Sequence, residues 1–172
     1  MKLSRIERWV LSNQYKILER LYPEESSGYA EAREALERGY ELNYDWPVLQ
    51  VVEDDDVLIA DACREIIDIL QMFSVIKSSL AELDDKSGVS AFELKFGGFD
   101  GNNESKELSY ARYLCRSDGG RFKDLGEDPI FNCHMPTLRT YRRMLAAWQQ
   151  STDKVSLSKE DLVRIQDARR PE

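Results

Sequence analysis

Apolar residues recur along positions 3–22 at helical spacing, and they do so on two faces at once. At about 100° per residue, Leu3, Ile6, Val10, Ile17 and Leu21 form one stripe, and Leu11, Tyr15, Leu18 and Tyr22 form a second beside it. Ser4 followed by Glu7 reads as a capping box, and Pro23 stops the helix after Tyr22. Glu7 and Gln14 fall between the stripes, and Asn13 falls between the first stripe and Trp9. A buried amide without a partner costs about 1–3 kcal/mol. Asn13 and Gln14 are therefore expected either to hydrogen-bond a loop, around 97–103 or Asn132, or to line a polar pocket. The aliphatic stripe suits the chain's own core. The second stripe, Leu11, Tyr15, Leu18 and Tyr22, suits an interface between copies, because a tyrosine ring buries while its hydroxyl keeps a polar partner.

Further along, Ser26-Ser27-Gly28 opens a shorter helix with Tyr29, Ala32 and Leu36 inward and Gly39 just past its end. Tyr40 to Val52, with Trp46-Pro47, reads as a connection. The acids Glu53 to Asp56 are expected to start the longest helix, since negative charge favours the amino-terminal end of the dipole. Ala62, Ile66, Ile69, Phe73, Ile76, Leu80 and Leu83 repeat at spacings of four and three, marking a central core helix that Ser87-Gly88 ends. Val89 to Gly101 is ambiguous: Phe92, Leu94 and Phe96 alternate as in a strand, then Gly97-Gly98 turns. A helix follows from about Asn103 to Ser117. Another begins at Pro136, with Leu138, Tyr141, Leu145 and Trp148 inward. The last opens on Ser158 with Asp161, and Leu157 with Leu162 makes a hydrophobic staple. The reading is all-α: a compact multi-helix bundle around one long central helix, one domain over 1–172, with an extended or loop segment near 89–101.

Composition narrows the setting. The chain is 42% hydrophobic and 33% charged, an ordinary globular balance. Its stretch richest in apolar residues, Ile66 to Ile76, is broken by Asp68, Gln71 and Ser74, so no membrane span is expected. The charged start, Met1 to Arg8, lacks the apolar core of a secretory signal, and a cytoplasmic location is expected. Net charge −8 repels a phosphate backbone, which makes nucleic acid an unexpected partner. Arg139, Arg142 and Arg143, with Arg164, Arg169 and Arg170, could form a local basic strip, though a solvated face paired with acids is the plainer reading.

Chemical motifs are sparse. Phosphate-loop, nucleophile-elbow, HExxH and EF-hand patterns are absent. Three cysteines at 63, 115 and 133 form no CxxC, and His134, beside Cys133, is the single histidine; neither a metal, a cofactor nor a thiol nucleophile is expected. Asp68 lies four residues after Arg64, where the simple expectation is an i,i+4 ion pair. Were they buried at a cleft, the Arg64 guanidinium would suit a carboxylate or phosphate. Asn13, Gln14, Arg64, Asp68, Asp100, Arg121 and Asn132 are the candidate ligand-binding residues.

In order along residues 8–168, Leu11-Ser12-Asn13-Gln14-Tyr15-Lys16, Glu37-Arg38-Gly39-Tyr40, Cys63-Arg64 with Ile66-Ile67-Asp68-Ile69, Gly98-Phe99-Asp100 and Arg143-Met144-Leu145 resemble segments of the YfbU family. The resemblance implies an all-helical bacterial domain and brings no catalytic residues to carry over. Relatives joined to a DNA-binding head imply a ligand-binding or regulatory module, and no room for such a head is expected here. The function expected is a regulatory, ligand-binding or protein-binding domain that forms a homo-oligomer. The alternative is an enzyme on a small polar or phosphorylated substrate, with Arg64 and Arg121 binding and Asp68 or Asp100 as base.

Overall fold

Local sequence signals decide where the helices begin. In the computed structural model, which describes residues 2–44, 51–52, 54–116, 122–125 and 131–170, α1 (Arg5–Leu21) starts on the capping box. Ser4 Oγ accepts from the Glu7 amide at 3.3 Å, and the Glu7 carboxylate accepts from the Ser4 amide at 2.7 Å. A 3₁₀ turn at Pro23–Glu25 leads to α2 (Ser26–Arg38), which ends on Gly39 in the left-handed conformation, φ 81°. Among the described residues the structure contains six α-helices and no strand, so the all-α reading holds. No helix of the described residues is long and apolar enough to cross a membrane.

The chain divides into two compact units, Met1–Val57 and Leu58–Glu172. In the first, α1 and α2 form a hairpin joined by a polar seam. Ser12 Oγ donates to Glu37 at 3.0 Å, Lys16 pairs with Glu37 at 3.2 Å, and Arg33 bridges Glu19 and Glu37 at 2.6 and 3.1 Å. Tyr15 and Tyr22 both meet Tyr29, with centroids 6.1 and 6.4 Å apart. Apolar burial is slight here: of its described residues, Ala35, Leu36 and Tyr44 are the fully buried hydrophobic ones.

The second unit holds the main core. α3 (Ala60–Glu82) contributes Ile66, Ile69, Phe73 and Ile76 at the spacing the sequence pattern predicts, and also Leu70, Met72 and Val75, which lie outside that pattern; Ala62, Leu80 and Leu83 are half-buried. α4 (Ser105–Arg116) and α5 (Leu138–Gln149) pack on α3, and α6 (Lys159–Arg169) packs on α5. The Ser158–Asp161 capping box forms, and Leu157 and Leu162 are both buried. Phe73, Phe96, Phe99, Phe131 and Tyr141 make an aromatic cluster around the buried Tyr141, whose closest ring contact is Phe73 at 4.9 Å.

Three local expectations are corrected. Asp54–Asp56 form a separate 3₁₀ turn, and α3 begins at Ala60 after the exposed Ile59, with no side-chain cap. Residues 91–95 turn rather than extend: the Leu94 amide donates to the Ser90 carbonyl at 3.1 Å, leaving Phe92 outside while Leu94 and Phe96 are buried. Among the described residues, the extended pairing that does occur is one parallel bridge, Phe99 with Asn132. Helix α5 begins at Leu138 instead of Pro136, because a carboxylate from elsewhere in the chain caps it.

Candidate functional site

The residues around Asp100 form a polar clasp between two loops. Asp100 is buried, as is Glu104, the residue just before α4. The Glu104 carboxylate accepts from the Asp100 amide at 3.0 Å, from the Thr137 amide at 2.8 and 3.0 Å, and from the Leu138 amide at 2.7 Å. It thus caps α5 from α4's own entry, where a negative charge also meets the positive end of the α5 dipole. Asn132 Oδ1 accepts from the Gly101 and His134 amides, each at 3.1 Å. The Asp100 carboxylate takes the Asn103 side-chain amide at 2.5 Å and the Asn102 backbone amide at 3.0 Å, and these bonds hold its pKa below the usual carboxylate range.

This clasp pins strained backbone. Phe131 and His134 have φ 44° and 56°, which non-glycine residues seldom adopt. Gly98 sits at φ 91°, and a Cβ there would lie 1.9 Å from the Phe131 carbonyl oxygen. The Phe99 amide donates to that same carbonyl at 2.9 Å, so only glycine lets the two strands of loop approach. Asp100 and Asn132 are therefore brought together, but their acceptors are occupied by backbone and amide donors. They work as a fastening.

The other candidates stand elsewhere. Arg64 and Asp68 are both exposed on α3, and Arg64 pairs with Asp61 at 2.5 Å rather than with Asp68, since Asp61 lies one helical turn back and equally free in solvent. Arg121 lies outside the described residues. Asn13 is half-buried and Gln14 exposed; the buried polar residue of α1 is Ser12. Of the possible basic strip, Arg139 is exposed, and the other arginines are engaged in holding the fold. Arg142 grips Glu65 through two bonds of 2.7 and 2.8 Å, and Arg143 donates to the carbonyls of Ala168 and Arg169, closing the end of α6. Arg164 pairs with Asp161, and Arg170 with Glu93 at 3.0 Å. Cys115 is buried, which pushes its thiol up to about 11, and Cys133 donates to the Met135 carbonyl at 2.9 Å. Among the described residues no three or more histidine, cysteine or acidic side chains are grouped to hold a metal.

The stripes of α1 are assigned the opposite way from the sequence expectation. Leu11, Tyr15 and Leu18 are half-buried on the side facing α2, where Tyr15 and Tyr22 pack on Tyr29. The aliphatic stripe is the open one: Ile6, Val10, Ile17 and Leu21 are 73, 44, 59 and 64% exposed, and Trp9 at their edge is 66% exposed. Leu3 precedes the helix and is half-buried. The reversal follows from what α2 offers: Glu37, Arg33 and Tyr29 need polar and aromatic partners, and the α1 side bearing Ser12, Glu19 and Tyr15 supplies them. Helical spacing alone gives no sign of this preference. A sequence model of the YfbU domain matches residues 1–168, essentially the whole chain, and the chain belongs to the YfbU family.

Proposed function

We propose that this protein is an interaction domain that works as a homodimer, joined by the aliphatic face of α1. The carrying observation is that face itself. The hairpin buries few apolar side chains, yet Ile6, Trp9, Val10, Ile17 and Leu21 stand exposed on α1. A contiguous apolar patch of this kind on a helix marks a contact surface.

A second copy is the occupant that the spacing favours. Ile6 and Leu21 lie equally far from the midpoint between Asn13 and Gln14, and so do Val10 and Ile17. An antiparallel two-fold pairing sets Ile6 beside Leu21 of the other copy and Val10 beside Ile17, with the four amides at the crossing. Asn13 and Gln14 then find partners in one another, and the opposed helix dipoles attract. On this reading the candidate residues of the ligand-binding set belong to the interface (Asn13, Gln14), the clasp (Asp100, Asn132) or the exposed side of α3 (Arg64, Asp68).

Light scattering at micromolar concentration, with circular dichroism as the control for folding, tests the proposal. The wild type is expected at twice the chain mass, and Ile17→Glu at the single-chain mass with unchanged helicity. Leu18→Glu, on the side facing α2, is expected to melt the hairpin instead. A monomeric wild type contradicts the proposal, as does an Ile17→Glu variant that stays dimeric.

A further inference from the structure

A hollow of about 350 Å³ opens in the second unit between the later turns of α3, the turn at 86–96 and the 3₁₀ turn Lys123–Leu125. Its floor is made by Phe73, Leu80, Leu94, Phe96 and Leu125. Phe73, Leu94 and Phe96 belong to the main core, and Leu80 and Leu125 pack against it, so the hollow opens onto the core itself. Phe73 and Phe96 lie with ring centroids 5.2 Å apart and planes at 49°, an angled aromatic wall. Lys77, Lys86 and Lys95 also line the space. Lys77 Nζ donates to the Asp124 backbone carbonyl, and Lys95 is likewise engaged within the chain. What these two give the hollow is their methylene stems, since a lysine covers apolar surface with its chain while its amine keeps a polar partner. An adjoining hollow of about 260 Å³ shares Lys95, Phe96 and Leu125, and Phe92, 87% exposed, stands on its lining.

We infer that this hollow binds a small aromatic molecule of two fused rings, held by its shape and apolar surface and not by a charge. Ligand sites are largely apolar hollows of this size. Water is poorly held on such a floor, because an ordered water needs about 2–4 polar partners and these side chains are hydrocarbon. An apolar group that displaces poorly held water gains affinity. The size of the ligand follows from the volume: a cavity of about 150 Å³ takes benzene, and one about twice as large takes two fused rings. Its flatness follows from the wall, where Phe73 and Phe96 offer ring faces and edges to a third ring. A rigid ring system also loses less freedom on binding than a flexible chain of the same carbon count. The site lies wholly within the second unit and is independent of the α1 face.

Titration of ¹⁵N-labelled protein with 2-naphthol, its saturated analogue decahydro-2-naphthol, and phenol tests the inference, read by amide shifts and by calorimetry. 2-Naphthol is expected to bind once per chain, shifting amides of the lining residues between Lys77 and Phe96. The saturated analogue is expected to bind several-fold more weakly, and phenol about ten-fold more weakly, having half the ring surface to bury. Lys86→Met keeps the stem and removes the charge, so it should leave the affinity for 2-naphthol unchanged, as should added salt. Ala81→Trp and Ala91→Trp replace exposed side chains on the lining, so the fold tolerates them, and either should abolish binding. Circular dichroism checks that each variant is folded. Absence of saturable 2-naphthol binding overturns the inference, as does equal affinity for phenol, a several-fold loss at Lys86→Met, or binding that survives both tryptophan variants.

Discussion

Glu104 shows at the scale of one residue how a buried acid can be wholly structural. Its carboxylate satisfies amides of Asp100, Thr137 and Leu138, so Glu104→Ala strands several donors at once. A loss of about 2–4 kcal/mol is expected by urea denaturation, from the lost cap and the unpaired amides together; a change below about 0.5 kcal/mol would show that the clasp is dispensable. Arg64→Ala is the contrast. Arg64 and Asp61 side chains are 70 and 84% exposed, and a solvated pair of this kind contributes at most about 1 kcal/mol. Its midpoint in urea should barely move, and a loss of several kcal/mol would mean a buried charge pair. Sequence reading reaches such residues unevenly. The boxes at Ser4 and Ser158 were legible because both partners lie within one turn. Glu104 was not, because the helix it caps begins 34 residues later. The nearest signal was its position four residues after Asp100, at the entry to a helix.

At the scale of an element, periodicity marked which positions of α1 are apolar but left open which stripe faces inward. Two adjacent stripes look alike in sequence, and the choice rests on the partner helix. α2 presents Glu37, Arg33 and Tyr29, so the tyrosine-bearing side closes against it and the aliphatic side stays open. The pattern of α3 left less choice, because its apolar positions merge into one wide face, with Ile66, Ile69, Leu70, Phe73 and Ile76 all in the core. The strand-like alternation of Phe92, Leu94 and Phe96 misled for a similar reason. Ser90 caps a turn there, its Oγ accepting from the Glu93 amide at 3.3 Å, and the turn carries Phe92 away from the other two.

Across the whole molecule, electrostatics sets how the fold responds to acid. Lys16 holds the Glu37 carboxyl below its ordinary range, Arg142 does so for Glu65, Lys159 for Asp85, and Asn103 for Asp100. A carboxyl depressed in the folded state contributes stability that is fully present above its unfolded pKa of about 4. That contribution is lost as pH falls through the folded value. The melting temperature is therefore expected to stay level from about pH 7 to pH 5 and to drop below about pH 4. Thermal melts followed by circular dichroism check this, and a melting temperature at pH 3 equal to that at pH 7 would contradict it.

The antiparallel pairing of α1 is tested most directly by a disulfide across its two-fold axis. Helices packed at 8–10 Å bring the two copies of position 14 to a Cα separation of about 6 Å, within reach of a disulfide. In a chain with Cys63 and Cys133 replaced by serine, and Cys115 left buried, Gln14→Cys is expected to oxidise quantitatively to a covalent dimer at micromolar concentration. Ile6→Cys, whose neighbour across the axis is Leu21, should remain reduced. A Gln14→Cys protein that stays monomeric on oxidising gels, or crosslinking at Ile6→Cys in its place, would contradict the account.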